Sequence, residues 1–253
     1  MNDSAASVTE LIEEVRGKFP PALRADVAAM IEKDQLHVEL AFVKGGHVVD
    51  LGGGYAPVSA VLAKLGCKVS VVDTFASTKF YEQFPRETLL GVLRSYGVDL
   101  VETDLLQFDA ASHFGPESLD CVTCYEAIYF FHPKILLERA VRALKPGGKL
   151  VLNFLNAVSL MRRLKVLMGR TNFNSLSEYY DAHVHHRHYV VRELAELAAR
   201  HGLVVECVFG RNWSFYQQYK GLPLPVLRLM DYALRLVPAL SQSIYLVARK
   251  PGA

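Results

Sequence analysis

Cysteine is scarce in this chain, acid and base nearly cancel, and no apolar run is long. Four of the 253 residues are cysteine, at positions 67, 121, 124 and 207, each in an apolar, strand-like stretch. That distribution excludes a disulfide framework, and the N-terminal MNDSAASVTE lacks the basic start and apolar stretch of a secretory leader. The expectation is a reducing, cytoplasmic setting with the thiols acting as small hydrophobes. Cys121 and Cys124 spell C-x-x-C, but in a strand residues three apart point to opposite faces, so the two sulfurs cannot share a ligand. Lysine and arginine total 28 against 26 acids, spread along the chain, which leaves no massed basic face for a nucleic-acid backbone. No stretch reaches the roughly 18 consecutive apolar residues of a membrane span, so no stable membrane insertion is expected. Internal repeats and low-complexity tracts are also missing.

With 51% of residues hydrophobic, the chain can bury a substantial core. Ser7 and Glu10 have capping-box spacing, and Val8, Leu11, Ile12, Val15 and Phe19 recur at helical intervals until Pro20 and Pro21. A second helix is expected from Ala22 to about Leu40, with Leu23, Val27, Met30 and Ile31 inward. From Gly46 the rhythm becomes short β-branched runs (HVVDL, KVSVVD, VDLVETD, LDCVTCY, GKLVLNF) separated by helix-forming segments. Such alternation predicts a doubly wound, mostly parallel α/β sheet covered on both faces. Residues 1–42 then form an N-terminal helical cap and 43–253 a Rossmann-like domain. Substrate-side insertions are expected at about 155–189 and 211–240, with a helix from about Val190 to His201 and SIYLVARK as the closing strand.

The stretch VVDLGGGYAP, residues 48–57, falls at the first strand-to-helix turn, where an open parallel sheet takes its ligand. Gly52 and Gly54 let a ligand approach the backbone, and Pro57 suits the first helical turn. Asp50 distinguishes between ligands. A pyrophosphate would be repelled by that carboxylate, whereas a cationic group is welcome, and the dinucleotide fingerprint wants a glycine where Pro57 stands. A nicotinamide-dependent reductase is therefore the weaker alternative, and a binding protein without turnover is a third.

In this order along the chain, VVDLGGGYA, KVSVVD, VETDLLQF, CYEAIYFFHP and RALKPGGKLVLNF resemble the motifs of class I S-adenosylmethionine-dependent methyltransferases. The resemblance implies a seven-stranded sheet and S-adenosylmethionine as cofactor, with S-adenosylhomocysteine as product. It implies a cofactor site of Asp50, Gly52, Gly54, Asp73, Thr74, Asp104, Leu105, Tyr125 and Glu126. In that site Asp73 takes the ribose hydroxyls and Asp104 the adenine amino group, while Leu105 donates its backbone N–H. The acceptor is then a small molecule methylated on oxygen, nitrogen or carbon. Where many relatives carry Glu-His after the fourth strand, this chain has Tyr129 and Phe130.

A hydroxyl acceptor needs a general base, for which His132, Tyr129, His185 and His186 are the candidates. His183, His185, His186 and His188 crowd together, yet without ligand partners at zinc spacings no metal is expected. Residues 225–237, PVLRLMDYALRLV, place Arg228, Asp231, Tyr232 and Arg235 on one stripe of an otherwise apolar helix. That helix is expected to pack over the active site, in the core, in a homodimer contact or on a membrane surface, the last disfavoured by the acid Asp231 between Arg228 and Arg235.

Overall fold

The computed structural model describes residues 3–27, 31, 45–76, 84–130, 132–170, 188–211, 223, 225, 226, 229, 232, 233 and 237–252. Its centre is a seven-stranded sheet. The strands are β1 (His47–Leu51), β2 (Lys68–Asp73), β3 (Asp99–Glu102), β4 (Leu119–Tyr125), β5 (Leu144–Leu155), β6 (Val204–Arg211) and β7 (Ser243–Arg249). Their spatial order is β3-β2-β1-β4-β5-β7-β6. The first five run parallel, and β7 lies antiparallel between β5 and β6. After β1 the chain winds outward through β2 and β3 and then returns to place β4 on the other side of β1. That reversal opens a crevice at the carboxyl ends of β1 and β4.

Strand alternation divides the core in two. Val49, Leu51, Val122, Cys124, Leu150 and Leu152 face one side, against α4 (Ala110–Phe114), α5 (Pro133–Ala143) and α7 (Val191–Arg200). Val48, Val69, Val71, Cys121 and Val151 face the other, against α1 (Asp3–Lys18), α2 (Pro57–Lys64) and α3 (Arg86–Ser95). Cys121 and Cys124 thus sit on opposite faces, as the strand period requires. Burial pushes the Cys121 thiol up to about 12 and raises Cys124 as well, so both stay protonated.

The N-terminal segment belongs to the second core: Val15, Phe19, Leu23, Val27 and Ile31 are all buried in it. The rest of the expected second helix, 28–30 and 32–40, lies outside the described residues. β7 was legible as a strand, but its antiparallel place inside the sheet was not. The 155–189 insertion is tied at its base by a bridge between Asn156 and Tyr189, with the Ala157 N–H donating to the Tyr189 carbonyl at 3.0 Å. It contains an unforeseen helix, α6 (Leu160–Leu167). In the 225–237 stretch, the described Val226, Leu229 and Tyr232 are exposed rather than covered. No helix among the described residues is long and apolar enough to cross a membrane.

Candidate functional site

Three strand ends and two turns meet at the crevice. At β1 the backbone passes through Gly52 at φ 74°. A Cβ there would lie 2.3 Å from the Ala127 Cβ in the segment after β4, so only glycine lets the two turns approach. At Gly53 a Cβ would press on the Asp50 carboxylate at 2.7 Å and on Val71 at 2.9 Å. At Gly54, φ 57°, it would meet nothing within 4 Å, and that open face is where a ligand can reach the main chain. Beneath the turn, Phe19 packs edge-on against Tyr55 with ring centroids 6.0 Å apart.

Two aspartates hold this turn. Asp73, at the end of β2 and half-buried, accepts the Gly54 N–H at 3.0 Å on one oxygen and the Phe75 N–H at 2.7 Å on the other. Thr74 Oγ1 also donates to this second oxygen at 3.4 Å, so the spare acceptor capacity lies on the oxygen that holds Gly54. Asp50 is 2% exposed and lies below the turn rather than on its surface. It accepts Ser59 Oγ at 2.7 Å from α2 and Thr123 Oγ1 at 2.9 Å from β4. Burial pushes its carboxyl up to about 6; the Asp73 charge adds to the rise, and the two hydroxyls oppose it.

β3 ends in register with β2, Asp73 opposite Glu102, and the Thr103 N–H donates to the Asp73 carbonyl at 3.0 Å. The interval between Asp73 and Asp104 is taken up in part by α3, and Leu105 Cδ1 comes within 3.4 Å of where a Cβ at Gly52 would stand. Asp104 is exposed and accepts the Leu106 N–H at 2.8 Å, while Leu105 is half-buried. Thr74 is exposed, and Tyr125 and Glu126 are half-buried after β4. Three non-glycine residues hold positive φ around this crevice: Ala56 at 32°, Phe75 at 49° and Glu126 at 52°. Left-handed backbone costs such residues on the order of 1–3 kcal/mol and concentrates at functional turns.

Of the candidate bases, Tyr129 is fully buried, and its hydroxyl accepts the Leu155 N–H. Burial, with the Glu126 charge adding, holds the phenol well above its ordinary range, which suits packing rather than proton abstraction. His132 is exposed at the N-terminal boundary of α5. His188 sets its ring edge-on to Tyr129 at 5.5 Å, whereas His183, His185 and His186 lie outside the described residues. Among the described residues, no cluster of metal-ligating side chains occurs.

Residues 23–208 match a family model described as a methyltransferase domain, which is well over half of the chain. The chain belongs to the class I S-adenosylmethionine-dependent methyltransferases. Among curated relatives it is 34% identical over 128 residues to a ubiquinone biosynthesis O-methyltransferase of Xanthomonas euvesicatoria, covering 50% of this chain and 48% of that one. A ubiquinone biosynthesis O-methyltransferase of Idiomarina loihiensis is 28% identical over 116 residues, covering 44% and 43%. The chain therefore spans about half the length of the curated relatives it matches. An S-adenosylmethionine-dependent methyltransferase from Archaeoglobus fulgidus has the same fold, with TM-score 0.55, 17% identity, and 88% and 94% coverage. So does Haemonchus contortus phosphoethanolamine N-methyltransferase 2 in complex with S-adenosyl-L-methionine, with TM-score 0.56, 16% identity, and 94% and 60% coverage.

One polar group in this methyltransferase was missed in the sequence. Asn153, fully buried near the end of β5 and paired in register with Tyr125, gives its amide nitrogen to Ser243 Oγ at 2.8 Å and the Ile244 carbonyl at 3.2 Å. Its Oδ1 is buried without a hydrogen-bond partner. The only sequence signal was an asparagine within the apolar run KLVLNF, too common a pattern to interpret alone.

Proposed function

We propose that the chain transfers a methyl group from S-adenosylmethionine to a hydroxyl of a small molecule. The observation that carries this reading is the crevice at the β1–α2 turn. There the open face of Gly54 and the half-buried carboxylate of Asp73 lie together where the sheet reverses its winding. The residues fit the cofactor: Asp73 offers a half-buried carboxylate to the ribose hydroxyls, which displace the weak 3.4 Å contact from Thr74, Gly52 and Gly54 admit close approach, and Asp104 with Leu105 borders the adenine side. Thr74, Tyr125 and Glu126 complete the lining. Asp50 acts from below, fixing α2 and β4 to β1 and setting a negative field under a cationic ligand.

When bound, the cofactor supplies a methyl group already activated by a positively charged sulfur. What remains for the protein is positioning and proton removal. Tyr125 and Glu126 stand at the end of β4, and Asn153, the register partner of Tyr125 on β5, lies buried beside them with its Oδ1 unsatisfied. His132, exposed at the start of α5, accepts the hydroxyl proton. Oxygen is favoured as nucleophile by the two curated relatives, both O-methyltransferases by name. The test is formation of S-adenosylhomocysteine with phenolic and catecholic acceptors against amine acceptors. Turnover confined to amines overturns the oxygen assignment, and hydride exchange with a nicotinamide cofactor overturns the reading entirely. If His132 is the base, His132→Ala lowers kcat by roughly 10²–10⁴-fold with little change in KM for the cofactor.

A further inference from the structure

Helix α6 is turned inside out. Leu160, Leu164 and Leu167 form an i, i+4, i+7 ridge that Met168 extends, the kind of stripe that normally faces a core. No residue of the helix is buried. Leu167 is 81% exposed, Met168 62% and Val166 54%, while Arg162 is only half-exposed. Helical spacing sets Arg163 and Lys165 on the two flanks of the ridge, and Arg170 follows in the next turn. Residues 156–177 contain no aspartate or glutamate. A second apolar row, Val226, Leu229 and Tyr232, is exposed at three-residue steps. Both segments spring from one end of the sheet. Leu155 of β5 is the register partner of Ser243 of β7, and Asn156 Nδ2 holds the Ala239 and Ser241 carbonyls at 2.9 and 2.8 Å. That end is also the carboxyl end of the parallel strands, where the candidate site opens.

We propose that α6 and the turn through Arg170 dock this end of the protein on an anionic phospholipid surface. The arrangement is that of an interfacial helix: leucines enter the acyl boundary while flanking basic side chains stay at headgroup level. Charge selects this occupant. A two-fold contact between copies of the helix would bring Arg163, Lys165 and Arg170 against their equivalents with no acid in the segment to offset them. A nucleic acid would leave the leucine ridge in water. The contact is peripheral and needs no membrane-spanning helix. It also places the site so that an acceptor dissolved in the bilayer is within reach.

The test is co-sedimentation with vesicles, without cofactor or acceptor, so that it reads docking independently of methyl transfer. Phosphatidylcholine vesicles containing a third phosphatidylglycerol are compared with pure phosphatidylcholine. The protein pellets with the anionic vesicles and is released by salt. Lys165→Gln with Arg170→Gln weakens binding by roughly fivefold per charge removed. Leu164→Ser with Leu167→Ser weakens it at least as much while the far-UV spectrum is unchanged. Equal partition into neutral vesicles, or no binding to either, overturns the proposal. So does a concentration-dependent dimer in sedimentation velocity that the double serine variant abolishes, because the ridge would then be a contact between copies. If the serine variant unfolds, the charge variant reads the same contact, since its side chains hold up no part of the fold.

Discussion

Asp50 and Asp73 are both expected in the cofactor site, and the structure sets them at different depths with different partners. Asp73 faces the crevice with lone pairs to spare; Asp73→Ala should weaken S-adenosylmethionine binding by at least an order of magnitude, a charged hydrogen bond being worth roughly 1.5–3 kcal/mol. Its turn role adds a modest loss of stability through the freed Gly54 and Phe75 amides. Asp50 is buried, and its sign is opposite to that of a paired carboxylate. Its folded pKa, about 6, stands above the ordinary carboxyl value of 3.8, so the folded state binds the proton more tightly. Its contribution to stability is full below the lower value and is lost as pH rises between the two, a change on the order of 3 kcal/mol. Denaturant titrations should show wild type losing stability relative to Asp50→Asn across that window, and cofactor affinity at neutral pH should fall in the variant. A difference that is flat with pH would remove this role. At Gly52 the cost is steric: Gly52→Ala should destabilise by roughly 2–4 kcal/mol. Adding Ala127→Gly should recover the part due to the 2.3 Å contact and leave the part due to φ.

At the scale of elements, the parallel strands were legible because both faces are covered, which writes an uninterrupted β-branched run such as KVSVVD or LDCVTC. The turn after β1 was legible for the same kind of reason: glycines with Asp50 and Pro57 leave few alternatives. β7 gives the same local signal whichever neighbour it pairs with, so SIYLVAR could not disclose its antiparallel place between β5 and β6. α6 was hidden because its periodicity is that of an ordinary helix while its apolar ridge points outward. For 225–237, greasiness alone left core, lid, subunit contact and membrane surface open, and the exposure of Val226, Leu229 and Tyr232 counts against the first of these. Asn153 escaped because an orphaned amide oxygen is a property of packing. Asn153→Leu should leave the melting temperature unchanged or raised, since a buried unsatisfied oxygen costs on the order of 1–3 kcal/mol, while turnover falls. Lost stability with unaltered turnover would return Asn153 to a purely structural place.

For the whole molecule, two cores clasp one sheet, and the crevice lies at its reversal point, roofed by turns whose backbone is strained at Ala56, Phe75 and Glu126. Ligand binding should hold that strain in place. S-adenosylhomocysteine at about a hundred times its Kd adds roughly 2.7 kcal/mol to stability and raises the melting temperature by several degrees. The central claim is that this crevice takes S-adenosylmethionine through Asp73 and the glycine turn. Isothermal titration calorimetry measures it most directly, with S-adenosylmethionine and NADH titrated into wild type and into Asp73→Ala. The account predicts a single S-adenosylmethionine site in wild type, weakened at least tenfold in the variant, and no heat from NADH. Tight NADH binding, or S-adenosylmethionine affinity untouched by the loss of Asp73, would contradict it.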